Sequence, residues 1–181
     1  AGEDWHAFVQ WCIARNYGGL ENLSLIPGLV GAAHVQNIGA YGAELKDTFH
    51  ELEAVEIASG ASVTFNTRDC GFGYRESVFK GKFRGKFIIT SVSFRIAKVS
   101  APGVRYAFRT EYGDLRKVLE EMRPPELSLE AVNEAVCRIR RAKLPDPKKL
   151  GNAGSFFKNP SVSQARFRDL LNRHLNMSHY P

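Results

Sequence analysis

Apolar residues at Trp5, Phe8, Val9, Cys12 and Ile13 recur at spacings of three and four, which predicts a helix over residues 3–17. Glu3 and Asp4 suit its first turn, and Gly18-Gly19 its end. Residues 20–43 break this rhythm: Pro27, Gly28, Gly31, Gly39 and Gly42 leave no regular period, yet the stretch is too apolar for a surface linker. A buried loop of that kind needs a reason, and close approach of a ligand to bare backbone is one. Leu52, Ala54, Val55 and Ile57 lead through Ser59-Gly60 to Val63 and Phe65, which predicts a hairpin. Ile88, Thr90, Val92, Phe94 and Ile96 alternate, predicting one half-buried strand over 86–98, and Val104, Tyr106 and Phe108 repeat the alternation after Pro102-Gly103. Helices are predicted over 114–122, from an N-cap at Ser128, and over 163–175 with Phe167, Leu170, Leu171 and Leu175 facing inward. The fold class expected is α+β, a mostly antiparallel sheet with packed helices. Leu144-Pro145-Asp146-Pro147 is the predicted boundary, dividing the chain into residues 1–144 and 145–181.

Composition narrows the picture. With 44% hydrophobic and 24% charged residues in 181, the chain is an ordinary globular sequence. No apolar run nears the roughly 20 residues a membrane helix requires, and the start has no secretory-signal pattern. Cys12, Cys70 and Cys137 are odd in number and far apart, which favours free thiols in a reducing compartment, and so a cytoplasmic location. Without an initiator Met, and stopping at Tyr180-Pro181 after a helical pattern, the chain reads as an excerpt of a longer protein. Residues 1–74 carry nine acids against three bases, and residues 75–181 ten acids against twenty-two bases. A basic half suits a phosphate-bearing small molecule or a plain solvated surface; nucleic acid has no motif behind it.

Four clusters carry candidate chemistry. The paired loops Leu25–Gly31 and Gln36–Gly42 match neither a P-loop nor a Rossmann glycine pattern, and read equally as a cofactor loop or a tight structural turn. In Phe72-Gly73-Tyr74-Arg75-Glu76-Ser77, Arg75 held between aromatics and glycine suits a carboxylate clamp; a surface Arg stacked on Tyr74 is the plain alternative. Glu111-Tyr112-Gly113-Asp114, with Arg140, Arg141 and Lys143 at a helix end, suits a diphosphate or simply complements the helix dipole. Gly151–Pro160 sets Ser155 after glycines and before two aromatics, as a nucleophile or proton donor would be presented, although it is not a GxSxG elbow. His6, His34, His50, His174 and His179 sit at no metal-ligand spacing, and for most of them a surface position is expected.

The combination is more specific than its parts. IPGLVGAA, QNIGAYGAELKD, CGFGYRES followed by VFK, TEYGDL, RRAKLPDP and GNAGSFFKNP occur in one order, and in this the chain resembles bacterial UDP-N-acetylenolpyruvoylglucosamine reductases, flavoenzymes of peptidoglycan precursor synthesis. The resemblance covers essentially the whole chain, and TEYGDL resembles the class that closes a Tyr-bearing loop over the substrate. It implies the second segment of an FAD-binding domain of the vanillyl-alcohol-oxidase type at 1–144, and the beginning of a substrate-binding domain at 145–181. It also implies FAD and NADPH as cofactors and UDP-N-acetylglucosamine enolpyruvate as substrate. In such enzymes NADPH reduces FAD, hydride passes to the enolpyruvyl group, and a Ser protonates the adjacent carbon.

Carried over by motif, Arg75 would stabilise the substrate carboxylate as negative charge develops and Ser155 would be the proton donor, eased by a neighbour such as Lys158. Ile26, Pro27, Gly28, Ala32, Val35, Ile38 and Gly39 match the segment along FAD. Tyr112, Arg140, Lys143 and Asn159 match the UDP-sugar site, and Tyr41, also on the substrate side, matches a Tyr near flavin and substrate. The resemblance places a Gly-Ser-Asn loop before residue 1 and an assisting Glu after residue 181, outside this chain. His34 stands where the family usually has Pro, and Glu76 where Asp is common. A monomer is expected, with neither nucleic acid nor a membrane as partner. Another flavin oxidoreductase of the same fold, or a binding-only fragment, are the alternatives; a flavin absorbance band would separate the flavoenzymes from the latter.

Overall fold

In the computed structural model, which describes residues 1–147, 149–151, 157–177 and 179, the Asp4 carboxylate accepts from Ala7 N at 2.8 Å and starts the first helix. This helix, α1 (Trp5–Ile13), buries Trp5, Val9, Cys12 and Ile13. It stops short of the predicted Tyr17 because Asn16 turns left-handed, at φ 57°, and β1 (Tyr17–Gly18) pairs antiparallel with β7 (Ala97–Lys98). The glycine-rich stretch that follows holds only short elements: a 3-10 turn (Glu21–Leu23), α2 (Val30–Ala33) and a hairpin of β2 (Gly39–Ala40) with β3 (Ala43–Glu44).

The predicted hairpin forms from β4 (Phe49–Glu56) and β5 (Ser62–Asn66), and α3 (Thr67–Cys70) follows on an Asn66 capping box. The third strand of that sheet is β6 (Phe87–Phe94), giving the antiparallel order β5-β4-β6. Two strand expectations differ from the structure. The predicted 86–98 strand is interrupted at Arg95-Ile96, where Arg95 N donates to Thr48 O at 2.7 Å, so that β6 and β7 join different sheets. Residues 105–110 alternate in exposure but are not a strand, because among the described residues no strand pairs with them to complete a ladder. They are fastened by side chains instead: Tyr106 OH donates to Glu21 Oε1 at 2.5 Å, and the Tyr106 and Phe108 rings meet edge to face at 4.9 Å.

Two amphipathic helices complete this part, α4 (Leu115–Met122) and α5 (Leu129–Lys143), the latter capped by Ser128 Oγ accepting from Ala131 N at 3.2 Å. Leu115, Val132 and Val136 are fully buried between them, each worth about 1.5–3 kcal/mol of apolar burial. A second apolar cluster lies under α1 and α2, and a third, rich in phenylalanine, under the β5-β4-β6 sheet. The resulting α+β architecture matches the expectation, with three small antiparallel sheets among the described residues rather than one continuous sheet.

The chain divides into two compact units, residues 1–151 and 152–181. In the second unit, α6 (Gln164–Arg173) is capped by Ser163 and buries no residue. The inward row expected there is only half-covered, and Leu175 is 86% exposed. Cys12, Cys70 and Cys137 are free and buried. Burial pushes the Cys12 thiol up to about 11 and Cys70 to about 12, so neither ionises near neutrality. Among the described residues, no group of His, Cys, Asp and Glu is arranged to hold a metal ion, and no helix is long and apolar enough to cross a membrane.

Candidate functional site

The β2–β3 hairpin is the organising element. Its two turn residues both have positive φ, 46° at Tyr41 and 77° at Gly42, as in a type I′ turn, where Asn-Gly is the common pair. A bulky Tyr in the left-handed region is costly unless its side chain is wanted where that backbone sends it. The Tyr41 ring packs against the cluster between α4 and α5. Its carbonyl accepts from the buried Asn22 Nδ2 at 2.8 Å, and the same nitrogen donates to Arg109 O at 2.8 Å. Burial raises the Tyr41 phenol, while the positive charges of Arg140 and Lys143 oppose the rise. Arg140 is tied down by Nε donating to Leu25 O at 3.1 Å, and Leu25 itself is left-handed at φ 57°. Lys143 meets Asp114 at 2.6 Å and holds that carboxyl below its ordinary range. Tyr112 sits beside the turn, since a Cβ added at Gly42 would lie 3.5 Å from Tyr112 Cβ. Four of the predicted substrate residues, Tyr41, Tyr112, Arg140 and Lys143, therefore gather at this turn.

The other side of the hairpin seats Arg75. A tight turn closed by Gly73 N to Glu76 O at 3.0 Å and Glu76 N to Gly73 O at 3.3 Å carries it, with Arg75 at φ 51°. Its Nη2 donates to Gly39 O at 2.5 Å, and Nη1 lies 3.5 Å from both Asn37 O and Glu44 Oε1. The guanidinium also lies 5.0 Å from the centroid of the Tyr74 ring. Stacking on Tyr74, anticipated as the plain alternative, is real and coexists with the carbonyl clamp. The Arg75 Nε–H has no partner among the described residues. Gly39 is required here for space: a Cβ would stand 2.5 Å from Arg75 Nη1 and 3.0 Å from Ala43 O.

The segment expected along FAD divides by exposure. Pro27, Gly28, Ala32 and Val35 are exposed, Ile26 and Gly39 are half-buried, and Ile38 lies in the core. Leu29, a member of the Leu25–Gly31 loop not among the residues matched to FAD, adds to the uncovered apolar strip at 49% exposed. Gly28, at φ 119°, opens onto free space, since nothing lies within 4 Å of an added Cβ. His34 is an exception to the surface position expected for most of the histidines. Its side chain is fully buried among Phe49, Phe94 and Phe72, at centroid distances of 5.2, 5.8 and 6.4 Å. Neither ring nitrogen has a hydrogen-bond partner among the described residues. The backbone of Val30 and Gly31 is near and favours the proton slightly, but outside hydrogen-bond geometry, and burial drives the imidazole down to about 4.

Ser155 lies outside the described residues. Asn159 is exposed in the second unit. Asn22, which holds the hairpin, lies outside every motif singled out above, while Asn37 and Glu44 entered only as members of QNIGAYGAELKD. A buried Asn in a glycine-rich apolar loop was the available signal.

Comparison with known proteins follows the same outline. The FAD binding domain family model matches residues 1–66. A curated UDP-N-acetylenolpyruvoylglucosamine reductase of Amoebophilus asiaticus is 48% identical over 177 residues, which is 98% of this chain and 50% of the relative. That of Burkholderia ambifaria is 52% identical over 180 residues, 99% of this chain and 50% of the relative. The chain is homologous to these reductases. It spans about half the length of the curated relatives it matches. The crystal structure of the UDP-N-acetylenolpyruvylglucosamine reductase of Thermus caldophilus is similar at a TM-score of 0.61 and 26% identity, over 95% of this chain and 52% of that one.

Proposed function

We propose that this chain supplies flavin-contacting and substrate-contacting residues of an NADPH-dependent reductase that converts UDP-N-acetylglucosamine enolpyruvate to UDP-N-acetylmuramate. The observation that carries the reading is the 39–44 hairpin, which holds the Arg75 guanidinium on one side and gathers Tyr41, Tyr112, Arg140 and Lys143 on the other. An electrostatic clamp and a diphosphate-compatible cluster on one short element suit a substrate with a carboxylate at one end and a nucleotide at the other.

The residues present fit FAD. Pro27, Gly28, Leu29, Ala32 and Val35 form an exposed, largely apolar strip, opened by a glycine with free space before it. Ile26 and Gly39 would flank the bound cofactor, and Ile38 would pack beneath it. What bound FAD contributes is hydride, drawn from NADPH and delivered to the enolpyruvyl group. In this reading residues 1–144 belong to the FAD-binding domain and residues 145–181 begin the substrate-binding domain, in a monomer acting in the cytoplasm.

Arg75 acts on the substrate carboxylate. Its guanidinium is permanently charged, planar and fixed by the hairpin carbonyls, so it meets developing negative charge with little reorganisation. Ser155 donates the proton to the carbon beside the hydride acceptor; a hydroxyl is a weak acid, and Lys158 is the neighbour suited to assist. Arg140, Lys143, Tyr41, Tyr112 and Asn159 bind the UDP-sugar.

The test is stopped-flow absorbance of the two half-reactions. Ser155→Ala and Arg75→Ala should leave an oxidative half-reaction with the enolpyruvyl substrate slowed by orders of magnitude, with about 3 kcal/mol or more lost for Arg75. Oxidation of both variants at the normal rate would refute the assignment.

A further inference from the structure

Asn37 is fully buried and adopts a left-handed conformation, φ 43°. Its Nδ2 donates to Gly73 O at 2.9 Å and to Glu44 Oε2 at 3.3 Å. Its Oδ1 accepts from Lys46 N at 3.0 Å, and its own carbonyl lies 3.5 Å from Arg75 Nη1. One side chain thus joins the segment before the hairpin, the segment after it, and the turn that carries Arg75. That turn is already closed by its own pair of backbone hydrogen bonds, so Asn37 is not needed to shape it. What Asn37 decides is where the turn sits against the hairpin carbonyls that receive the guanidinium.

We infer that Asn37 is the positioning residue for Arg75, setting the guanidinium in register with the substrate carboxylate; this rests on the reading of Arg75 given above. The position asks for three properties together: tolerance of positive φ, a donor for Gly73 O, and an acceptor for Lys46 N. Asn supplies all three. Gly supplies only the first. Asp lacks the donor, and its charge would face both the Gly73 carbonyl and the Glu44 carboxylate.

The experiment uses Asn37→Gly, which keeps the backbone conformation and removes both side-chain links. Phenylglyoxal labelling of Arg75, followed by peptide mass spectrometry, should accelerate at least fivefold. In the holoenzyme, the reductive half-reaction with NADPH should stay within twofold, while the oxidative half-reaction with the enolpyruvyl substrate falls tenfold to a hundredfold. In an Arg75→Ala background the Asn37→Gly substitution should slow the oxidative half-reaction no further, because the residue it positions is gone. Unchanged labelling, or an equal loss in the Arg75→Ala background, would overturn the inference. A normal oxidative rate in Arg75→Ala alone would instead overturn the catalytic reading of Arg75, whatever the labelling does. Gly39→Ala tests the same seat by a second route, should Asn37→Gly not fold: its Cβ would occupy the place of Nη1, so labelling should again accelerate, and an unchanged rate there would count equally against the inference.

Discussion

Lowering the pH from 7.5 to 4 puts a proton on histidines in the unfolded chain, and His34 is a histidine that the fold keeps neutral. Its ring is fully buried among three phenylalanines, and both nitrogens lack partners among the described residues. Burial lowers its pKa from 6.5 to about 4. Between those values the unfolded chain binds a proton that the folded chain refuses. The stabilisation is therefore complete above pH 6.5 and is lost as the pH falls through the folded value. A shift of this size corresponds to about 3 kcal/mol lost between pH 7.5 and 4. Carboxylates also change over this range, so the measurement is a difference between the protein and His34→Leu, which removes the titrating group and keeps the site apolar. Urea unfolding at pH 7.5, 6, 5 and 4 should show the protein losing about 3 kcal/mol more than His34→Leu across the series. If the two lose stability in parallel, His34 is protonated in the folded state or paired there, and the reasoning from burial is wrong.

Asn22→Leu should destabilise the protein by about 2–4 kcal/mol, because two carbonyls, Tyr41 O and Arg109 O, lose a donor in a buried place; thermal unfolding checks it, and a change under 0.5 kcal/mol would contradict it. Arg75→Gly should leave stability within about 1 kcal/mol, since relief at φ 51° offsets lost side-chain contacts, yet abolish the oxidative half-reaction; a large stability loss would make Arg75 a structural residue. Arg140→Lys keeps the charge but loses the Nε bond to Leu25 O, so affinity for UDP-N-acetylglucosamine enolpyruvate should fall about tenfold by titration calorimetry; unchanged affinity would take Arg140 out of the site.

Periodicity reached far into this protein. The apolar spacing from Trp5 to Ile13, the Ser128 cap and the 52–65 hairpin all depend on short-range geometry, which a sequence carries locally, and α1, α5 and the β4–β5 pair follow it. The motifs likewise identified Arg75, Tyr41, Tyr112, Arg140 and Lys143 as chemically notable. Tertiary structure decided what spacing does not encode. Val104, Tyr106 and Phe108 alternate in sequence like a strand, yet a strand needs a paired neighbour, and among the described residues none pairs with them. Nothing in the sequence marked His34 as the buried histidine, but phenylalanines drawn from residues 49, 72 and 94 close over it. Only the folded chain brings the Gly39 carbonyl onto a guanidinium 36 positions away. Asn37, Tyr41, Leu25 and Arg75 in left-handed conformations are choices no propensity favours for the last three. They are imposed by long-range hydrogen bonds and packing around the hairpin, and that is why the candidate site became legible only when the chain was folded.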